Sequence, residues 1–221
     1  NVDARQYWKP FGNYVFSLSA EGGFIHSFEN PKTPGSDPVR LTDRYFLGEP
    51  QFPGFDIRGI GPRVQRQFYD SNGNLVTARD QVVDDSIGGR AYYLNRLELE
   101  IPLGSGAREM GLRPSFFAVA GSVFGVKNPQ TNDLANGLRR CRDDATGVVT
   151  EQTLNFACGT GQSVLFEVQP FKEVFLGDTW KPRVSVGFGV NWRSPFGPFR
   201  IDIAKALVKY KGDDPKLFTF N

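Results

Sequence analysis

Residues 183–193 read R-V-S-V-G-F-G-V-N-W-R, and this stretch decides the fold class. Apolar side chains occupy every second position from Val184 to Trp192, and Arg, Ser, Gly and Asn fill the positions between them. Because successive side chains of a strand point to opposite faces, the alternation predicts a β-strand with one apolar and one polar face. The length matches the roughly 9–11 residues of a tilted membrane-spanning strand.

The same alternation recurs along the chain. In residues 12–24, Tyr14, Phe16 and Leu18 alternate with mostly small or polar side chains, whereas residues 90–101 follow the pattern less strictly. We predict six strands, at residues 12–24, 90–101, 115–124, 183–193, 199–209 and 217–221.

The connections between these strands alternate in length. Residues 102–112 and 194–198 are short connections, and residues 25–89 and 125–182 are long ones. Short turns on one side and long loops on the other are typical of an outer-membrane barrel, in which the long loops are extracellular. We therefore predict an all-β fold, a transmembrane antiparallel up-and-down β-barrel.

Composition excludes several other classes. The chain has 221 residues, 14% of them aromatic, and a mean hydropathy of −0.35. It lacks the roughly 18 consecutive apolar residues of a membrane-spanning helix, and its aromatic content argues against disorder. The 26 Lys and Arg nearly balance the 24 Asp and Glu, so nothing favours a nucleic-acid partner. One His and two Cys leave little room for a His-based catalytic site or a zinc site.

Six strands do not close a barrel, because the smallest membrane barrels need about eight. Either residues 1–221 are the C-terminal part of a single larger barrel domain or several copies combine, and we expect the first. Two other classes stay open on the residues alone: a soluble β-sandwich enzyme or lectin, whose strands also alternate, and a passive porin-like channel.

Three motifs carry a family resemblance. Tyr45-Phe46-Leu47-Gly48 is followed by F-P-G-F-D-I-R-G-I-G-P-R at residues 52–63, W-R-S-P-F-G-P occupies residues 192–198, and F-T-F-N occupies residues 218–221. In these motifs, and in their order over nearly the whole chain, the sequence resembles the C-terminal part of the BamA family of outer-membrane β-barrel assembly factors.

The resemblance implies a loop folded into the barrel lumen. Its motif residues are Phe52, Pro53, Gly54, Phe55, Arg58, Ile60, Gly61, Pro62 and Arg63. The implied contacts on the barrel wall are Val119, Gly121 and Glu98.

This sequence departs from the family at one ion pair. The family's loop arginine falls on Pro53, and the wall aspartate that it meets falls on Val119. Because a buried charge left alone costs about 3–5 kcal/mol, the loss of both partners is physically coherent. We expect Phe52 and Pro53 to pack against Val119 instead. A second alignment gives the role to Arg58, which would then pair with a wall carboxylate such as Glu98.

The resemblance also implies the activity. Members of the family insert other β-barrels into the bacterial outer membrane through a seam between the first and last strands, without ATP, cofactor or catalytic side chain. The implied partners are outer-membrane lipid, nascent β-barrel client proteins and accessory lipoproteins. A TamA-like assembly factor or a two-partner secretion transporter is the alternative within this architecture. The implied seam strand is Leu217, Phe218, Thr219, Phe220 and Asn221.

The long connection at residues 125–182 contains both cysteines. The spacing of Cys141 and Cys158, in a chain outside the cytosol, favours one disulfide that closes a surface loop. Residues 164–168 of the same connection could form an extra strand, to which we assign no task. In the other long connection, residues 71–74 (S-N-G-N) predict a tight hairpin turn.

Overall fold

The computed structural model describes residues 1–29, 36–104, 111–195 and 197–220. This part of the chain consists of antiparallel strands and turns, with two short 3-10 segments at Leu41–Asp43 and Arg79–Gln81 and no α-helix. The predicted all-β antiparallel class is confirmed. None of the helical segments in the described ranges is long and apolar enough to cross a membrane. Phe196 of the second motif, Asn221 of the third, and residues 105–110 of one short connection lie outside the described residues.

The described residues form fourteen strands, numbered in chain order. They are β1 (Val2–Trp8), β2 (Val15–Phe24), β3 (Arg63–Phe68), β4 (Val83–Ser86), β5 (Ala91–Glu100), β6 (Leu112–Phe124), β7 (Asp133–Leu134), β8 (Leu138–Asp143), β9 (Val149–Gln152), β10 (Gln162–Val168), β11 (Phe171–Leu176), β12 (Arg183–Ser194), β13 (Gly197–Val208) and β14 (Phe218–Phe220). The chain divides into two compact units, one of residues 1–63, 86–128 and 176–221 and the other of residues 64–85 and 129–175.

The first unit contains an open seven-stranded sheet in the order β1-β2-β5-β6-β12-β13-β14, in which every neighbour is antiparallel. All six predicted strands are present. The prediction missed β1, because in V-D-A-R-Q-Y-W the polar Gln6 shares a face with Trp8, and the aromatic Tyr7 lies on the other face. Alternation is lost there, although the strand pairs with β2 along its whole length.

One side of this sheet, which we call the apolar face, is not covered by the described chain. The registers place one apolar row across all seven strands: Trp8, Phe16, Leu99, Phe116, Phe188, Ile203 and Phe218. Phe116 is 55% exposed and Ile203 is 52% exposed. The alternating apolar side chains are therefore not enclosed in a protein core, which contradicts the β-sandwich alternative.

The hydrophobic core lies on the opposite side of the sheet, which we call the covered face. Segment 45–62 folds over this face, and its side chains form one buried cluster with side chains from the strands. The members are Leu47, Phe52, Phe55 and Ile60 from the segment, and Leu94, Phe117, Val119, Val123 and Ala204 from the strands.

The second unit contains two small sheets. One has the order β4-β3-β11-β7 and the other the order β10-β8-β9. The predicted disulfide between Cys141 and Cys158 is confirmed, with 5.7 Å between their Cα atoms. The predicted strand at residues 164–168 lies within β10. The S-N-G-N turn closes through a hydrogen bond from the Asp70 N–H to the Asn74 carbonyl.

Candidate functional site: a buried loop joined to the last strand

The motif loop at residues 45–63 approaches the strands closely enough to require glycine. Gly54 has a φ of +100°, and a Cβ atom there would lie 2.8 Å from the Cβ of Ser185 on β12. Gly61 has a φ of +106° and faces Val123 on β6. Only glycine adopts these backbone angles without strain and leaves room for the wall side chain. The two glycines therefore allow the loop backbone to lie directly on the covered face.

The predicted apolar residues meet at this contact. Phe52 and Phe55 are fully buried, with their rings edge to face at a centroid distance of 5.2 Å. Val119 is fully buried in the same cluster. The hydroxyl of Ser185, which pairs in register with Val119, donates a hydrogen bond of 2.6 Å to the Pro53 carbonyl. The structure thus brings Phe52 and Pro53 to the part of the wall that contains Val119.

Gly121 lies two residues further along β6 than Val119. A Cβ atom at Gly121 would lie 2.5 Å from the Tyr93 carbonyl oxygen, so its role here is the close spacing of β5 and β6.

Arg58 and Glu98 are not brought together. Arg58 is exposed, and its guanidinium lies 4.6 Å from the centroid of the Phe46 ring. Its carbonyl accepts a hydrogen bond of 2.7 Å from Nη2 of Arg63. Glu98 has partners on the wall itself, as described next.

Glu98 belongs to a charged network on β5, β6 and β13. Its carboxylate accepts hydrogen bonds from Arg96 Nε at 3.0 Å and from the Ser115 hydroxyl at 2.5 Å. Nη2 of Arg200 lies 3.0 Å from Glu98 Oε1, and the same arginine donates to Asp202. Two cations and two carboxylates therefore balance one another within the wall. The network borders a polar cleft of about 350 Å³.

The motif loop is also joined to residues 209–217, which we call the lead-in segment because it runs into β14. The Asp56 N–H donates to the Asp214 carbonyl, and the Asp214 N–H donates to the Gly59 carbonyl, both at 2.8 Å. The Lys216 N–H donates to the Gly54 carbonyl at 3.1 Å. These backbone bonds form a short ladder between the loop and the lead-in segment.

Side chains strengthen this ladder. Nζ of Lys216 donates to Glu49 at 2.6 Å and to Asp56 at 3.3 Å, and these two hydrogen bonds raise the pKa of Lys216. Nη1 of Arg63 donates to the Gly212 carbonyl at 2.6 Å. The loop and the lead-in segment are thus held together at both ends of the motif.

A second anchor of the lead-in segment is a fully buried ion pair between Arg183 and Asp213. Nε and Nη2 of Arg183 donate to the two oxygens of Asp213, each at 3.0 Å. The remaining donors reach the Ser122 hydroxyl and the carbonyls of Thr179 and Gly177. All five N–H groups of the guanidinium are therefore used.

Sequence reasoning missed this pair and Lys216. Arg183 stands at the first position of β12 on the polar side of the alternation, where it looks like an ordinary polar-face residue. Its partner is 30 residues away in the chain, beyond β12 and β13, and nothing in the intervening sequence signals the contact.

Asp37 anchors the start of the long connection between β2 and β5. Its carboxylate accepts hydrogen bonds from the Lys127 N–H at 2.9 Å, from Arg90 Nη2 at 2.8 Å and from the Val39 N–H at 2.9 Å, and Arg44 lies 3.7 Å away. Burial alone would raise the pKa of Asp37, but these donors outweigh it, so the pKa lies below its ordinary value.

The implied seam strand lies at one edge of the seven-stranded sheet. β14 pairs with Ile201–Ile203 of β13, and the Leu217 carbonyl accepts a hydrogen bond from the Ala204 N–H. Phe218 and Phe220 point to the apolar face, where the rings of Phe220 and Phe199 stack at 5.7 Å, and Thr219 is buried on the covered face. Asn221 is not among the described residues.

No group of three or more His, Cys, Asp or Glu side chains in the described ranges is placed to hold a metal ion. The motif loop, the lead-in segment and β14 instead provide apolar packing, backbone hydrogen bonding and the edge of a strand.

Comparison with known proteins agrees with this geometry. The Omp85 superfamily domain matches residues 1–221. The outer membrane protein assembly factor BamA of Neorickettsia risticii (strain Illinois) is 30% identical over 206 residues, which is 93% of this chain and 19% of that protein. The crystal structure of BamA from Haemophilus ducreyi lacking POTRA domains 1–3 is similar in fold, with a TM-score of 0.58 at 21% identity over 99% of this chain and 33% of that chain. The chain therefore spans about a fifth of the length of the curated relative.

Proposed function

The chain belongs to the Omp85 superfamily, and from this membership we propose that it forms the seam-bearing C-terminal part of a bacterial outer-membrane β-barrel assembly factor. Its all-β fold is that of an outer-membrane barrel portion, and its location is the bacterial outer membrane. In this proposal the long connections at residues 25–89 and 125–182 are extracellular.

The dimensions of the sheet support the membrane part of the proposal. From Val184 to Trp192 on β12, eight steps of about 3.3 Å give roughly 26 Å along the strand. At a tilt of about 40° this is roughly 20 Å along the membrane normal, close to the roughly 25 Å apolar band of outer-membrane barrels. The apolar face then contacts lipid, and the charged network around Glu98 stays on the side away from lipid.

One observation favours an assembly factor over a passive channel. The motif loop is buried against β6 and β12 and hydrogen-bonded to the segment that leads into β14. A passive pore needs a water-filled interior, whereas this loop occupies the covered face and contacts the lead-in segment of the strand that would form one side of the seam. The loop is therefore in a position to brace that strand through its lead-in segment.

The proposed activity uses backbone pairing. A strand of a nascent β-barrel client adds to the exposed edge of β14, and main-chain N–H and C=O groups are the template. Such pairing needs no ATP, cofactor or catalytic side chain. The proposed partners are client barrels, outer-membrane lipid and accessory lipoproteins of an assembly complex.

Disulfide trapping in the intact protein tests this proposal. A client with one cysteine in its last strand is expected to form a mixed disulfide with the Phe220→Cys variant during insertion. The control is Ala118→Cys, which also points to the apolar face but lies on β6, whose two neighbours β5 and β12 are both in place.

Equal trapping at both positions would mean that clients touch the apolar face without adding to a strand edge, and no trapping at Phe220→Cys would contradict the seam. A client that is trapped and then released outside the cell would indicate a translocation barrel.

A further inference from the structure

A groove on the apolar face lies where β1 turns into β2. It has a volume of about 640 Å³ and is lined by Trp8, Lys9, Pro10, Phe11, Phe16 and Leu99. The rings of Trp8 and Phe16 lie 5.6 Å apart, and Phe11 is 62% exposed. The volume is within the usual range of small-ligand sites, roughly 300–1,000 Å³.

The turn that forms this groove is structured. The Tyr14 N–H donates to the Phe11 carbonyl at 3.2 Å, and the two rings pack at 4.9 Å. Gly12 provides a φ of +50° in this turn. The groove is therefore built from a strand end, a fixed turn and two neighbouring strands.

Its position within the fold fixes its surroundings. Trp8, Phe16 and Leu99 belong to the apolar row that runs across the sheet, so the groove continues the lipid-contacting surface. It also lies at the end of the strands that carries the short connections, and in bacterial outer-membrane barrels the short turns are periplasmic. The groove thus faces the headgroup region of the periplasmic leaflet.

The side chains that line the groove limit the class of ligand that fits it. Lys9 is the one charged side chain of the groove, it is exposed, and no ion pair of Lys9 occurs among the described residues. A water-soluble ligand would leave the aromatic rings without apolar contact. An apolar ligand without an anionic group would leave the Lys9 ammonium without a counter-charge.

We propose that this groove binds one anionic glycerophospholipid, with its acyl chain along Trp8, Phe11 and Phe16 and its phosphate at Lys9. The site depends on the membrane placement of the sheet and not on the assembly activity. It gives this part of the barrel a preference for anionic over uncharged lipid headgroups.

Fluorescence quenching in vesicles tests the proposal with the intact protein. The Trp8 signal is obtained as the difference between the protein and its Trp8→Phe variant. Phosphatidylcholine vesicles contain equal mole fractions of either dibrominated phosphatidylglycerol or dibrominated phosphatidylcholine. We expect Trp8 to prefer the anionic quencher by about fivefold, the effect of one lysine near an anionic headgroup.

The Lys9→Gln variant is expected to abolish this preference and keep the quenching by phosphatidylcholine. The matched control is Lys205→Gln, which removes another exposed lysine of the apolar face, on β13 near the end with the long connections.

Equal quenching of the parent by both lipids would overturn the site. So would a preference that survives Lys9→Gln, or one that Lys205→Gln reduces equally. Client trapping at Phe220→Cys is expected to persist in the Lys9→Gln background, so failure of the lipid site and failure of the assembly function give different results. Heat-dependent mobility in gel electrophoresis checks that each variant is folded.

Discussion

The buried Arg183–Asp213 pair is expected to make the largest single side-chain contribution to holding the lead-in segment, and Asp213→Asn tests this. The substitution keeps the size of the side chain and removes its charge. Arg183 would then remain fully buried with one neutral amide, one hydroxyl and two carbonyls as its partners. Removal of one member of a buried ion pair costs about 3–5 kcal/mol, because the other charge is left without compensation.

Guanidinium unfolding of the intact protein in detergent micelles, followed by tryptophan fluorescence, measures the change. A shift of the midpoint at constant slope reports stability alone. The matched control is Asp3→Asn, which breaks the exposed pair of Arg5 and Asp3, with side chains 61% and 53% exposed. Exposed pairs contribute at most about 1 kcal/mol, so the control is expected to change little.

A double-mutant cycle separates the pair from its surroundings. Arg183→Met with Asp213→Leu is expected to cost less than the sum of the two single changes, because no charge is left buried alone. Two outcomes would refute the reasoning. One is an Asp213→Asn change as small as that of the control, and the other is additive behaviour in the cycle.

Three further predictions concern the loop and its anchors. Val119→Asp is expected to destabilise the intact protein by about 3–5 kcal/mol in guanidinium unfolding, because it buries an unpaired carboxylate. Pro53→Arg in the same chain is expected to recover part of this lost stability. The absence of any recovery would contradict the loop alignment. Gly54→Ala is expected to cost more than Gly73→Ala in the same assay, because both glycines have positive φ but only the Gly54 Cβ would meet another side chain. Equal costs would show that the loop–wall contact is loose. The Asp37→Asn variant is expected to be less stable than the parent at pH 6. This difference in stability is expected to shrink as the pH falls below about 3.9, the pKa of an unfolded Asp, and through the lower pKa of Asp37 in the folded protein. The reason is that a carboxyl group with a lowered pKa stabilises the fold only while it is ionised. A difference in stability independent of pH would contradict the role of the ionised carboxylate.

Alternation predicted the strands where each face has one kind of neighbour. β12 has lipid-type side chains on one face and small or polar ones on the other along its whole length, so its period is visible in the sequence. β1 was missed because its outward Gln6 and inward Tyr7 reverse the expected polarity. β1 lies at the edge of the described sheet, where each face is less strictly apolar or polar. The alternation of its side chains therefore does not predict a strand.

The covered face was less predictable, because its core is made by contacts between distant segments. Phe52, Phe55 and Ile60 were identified through a family resemblance, since nothing in their spacing distinguishes a buried loop from an exposed one. The ladder between the motif loop and the lead-in segment joins residues about 160 positions apart, as at Lys216 and Asp56. Such pairings form only when distant parts of the chain fold together, so no local pattern in the sequence predicts them.

The charges of the wall agree with the predicted alignment, in which the family's loop arginine falls on Pro53. Glu98 already has Arg96 and Arg200 as neighbours, and Arg200 also binds Asp202. A third cation from the loop would meet a network in which every carboxylate is engaged, and the position across from it is the apolar Val119. Its desolvation would then have no compensating partner. In that alignment, proline at the loop and valine on the wall remove both charges together, and the Ser185 hydroxyl donates a hydrogen bond to the Pro53 carbonyl. We therefore propose that the apolar loop contact and the self-contained ion network are two consequences of the same balance of charge on the covered face.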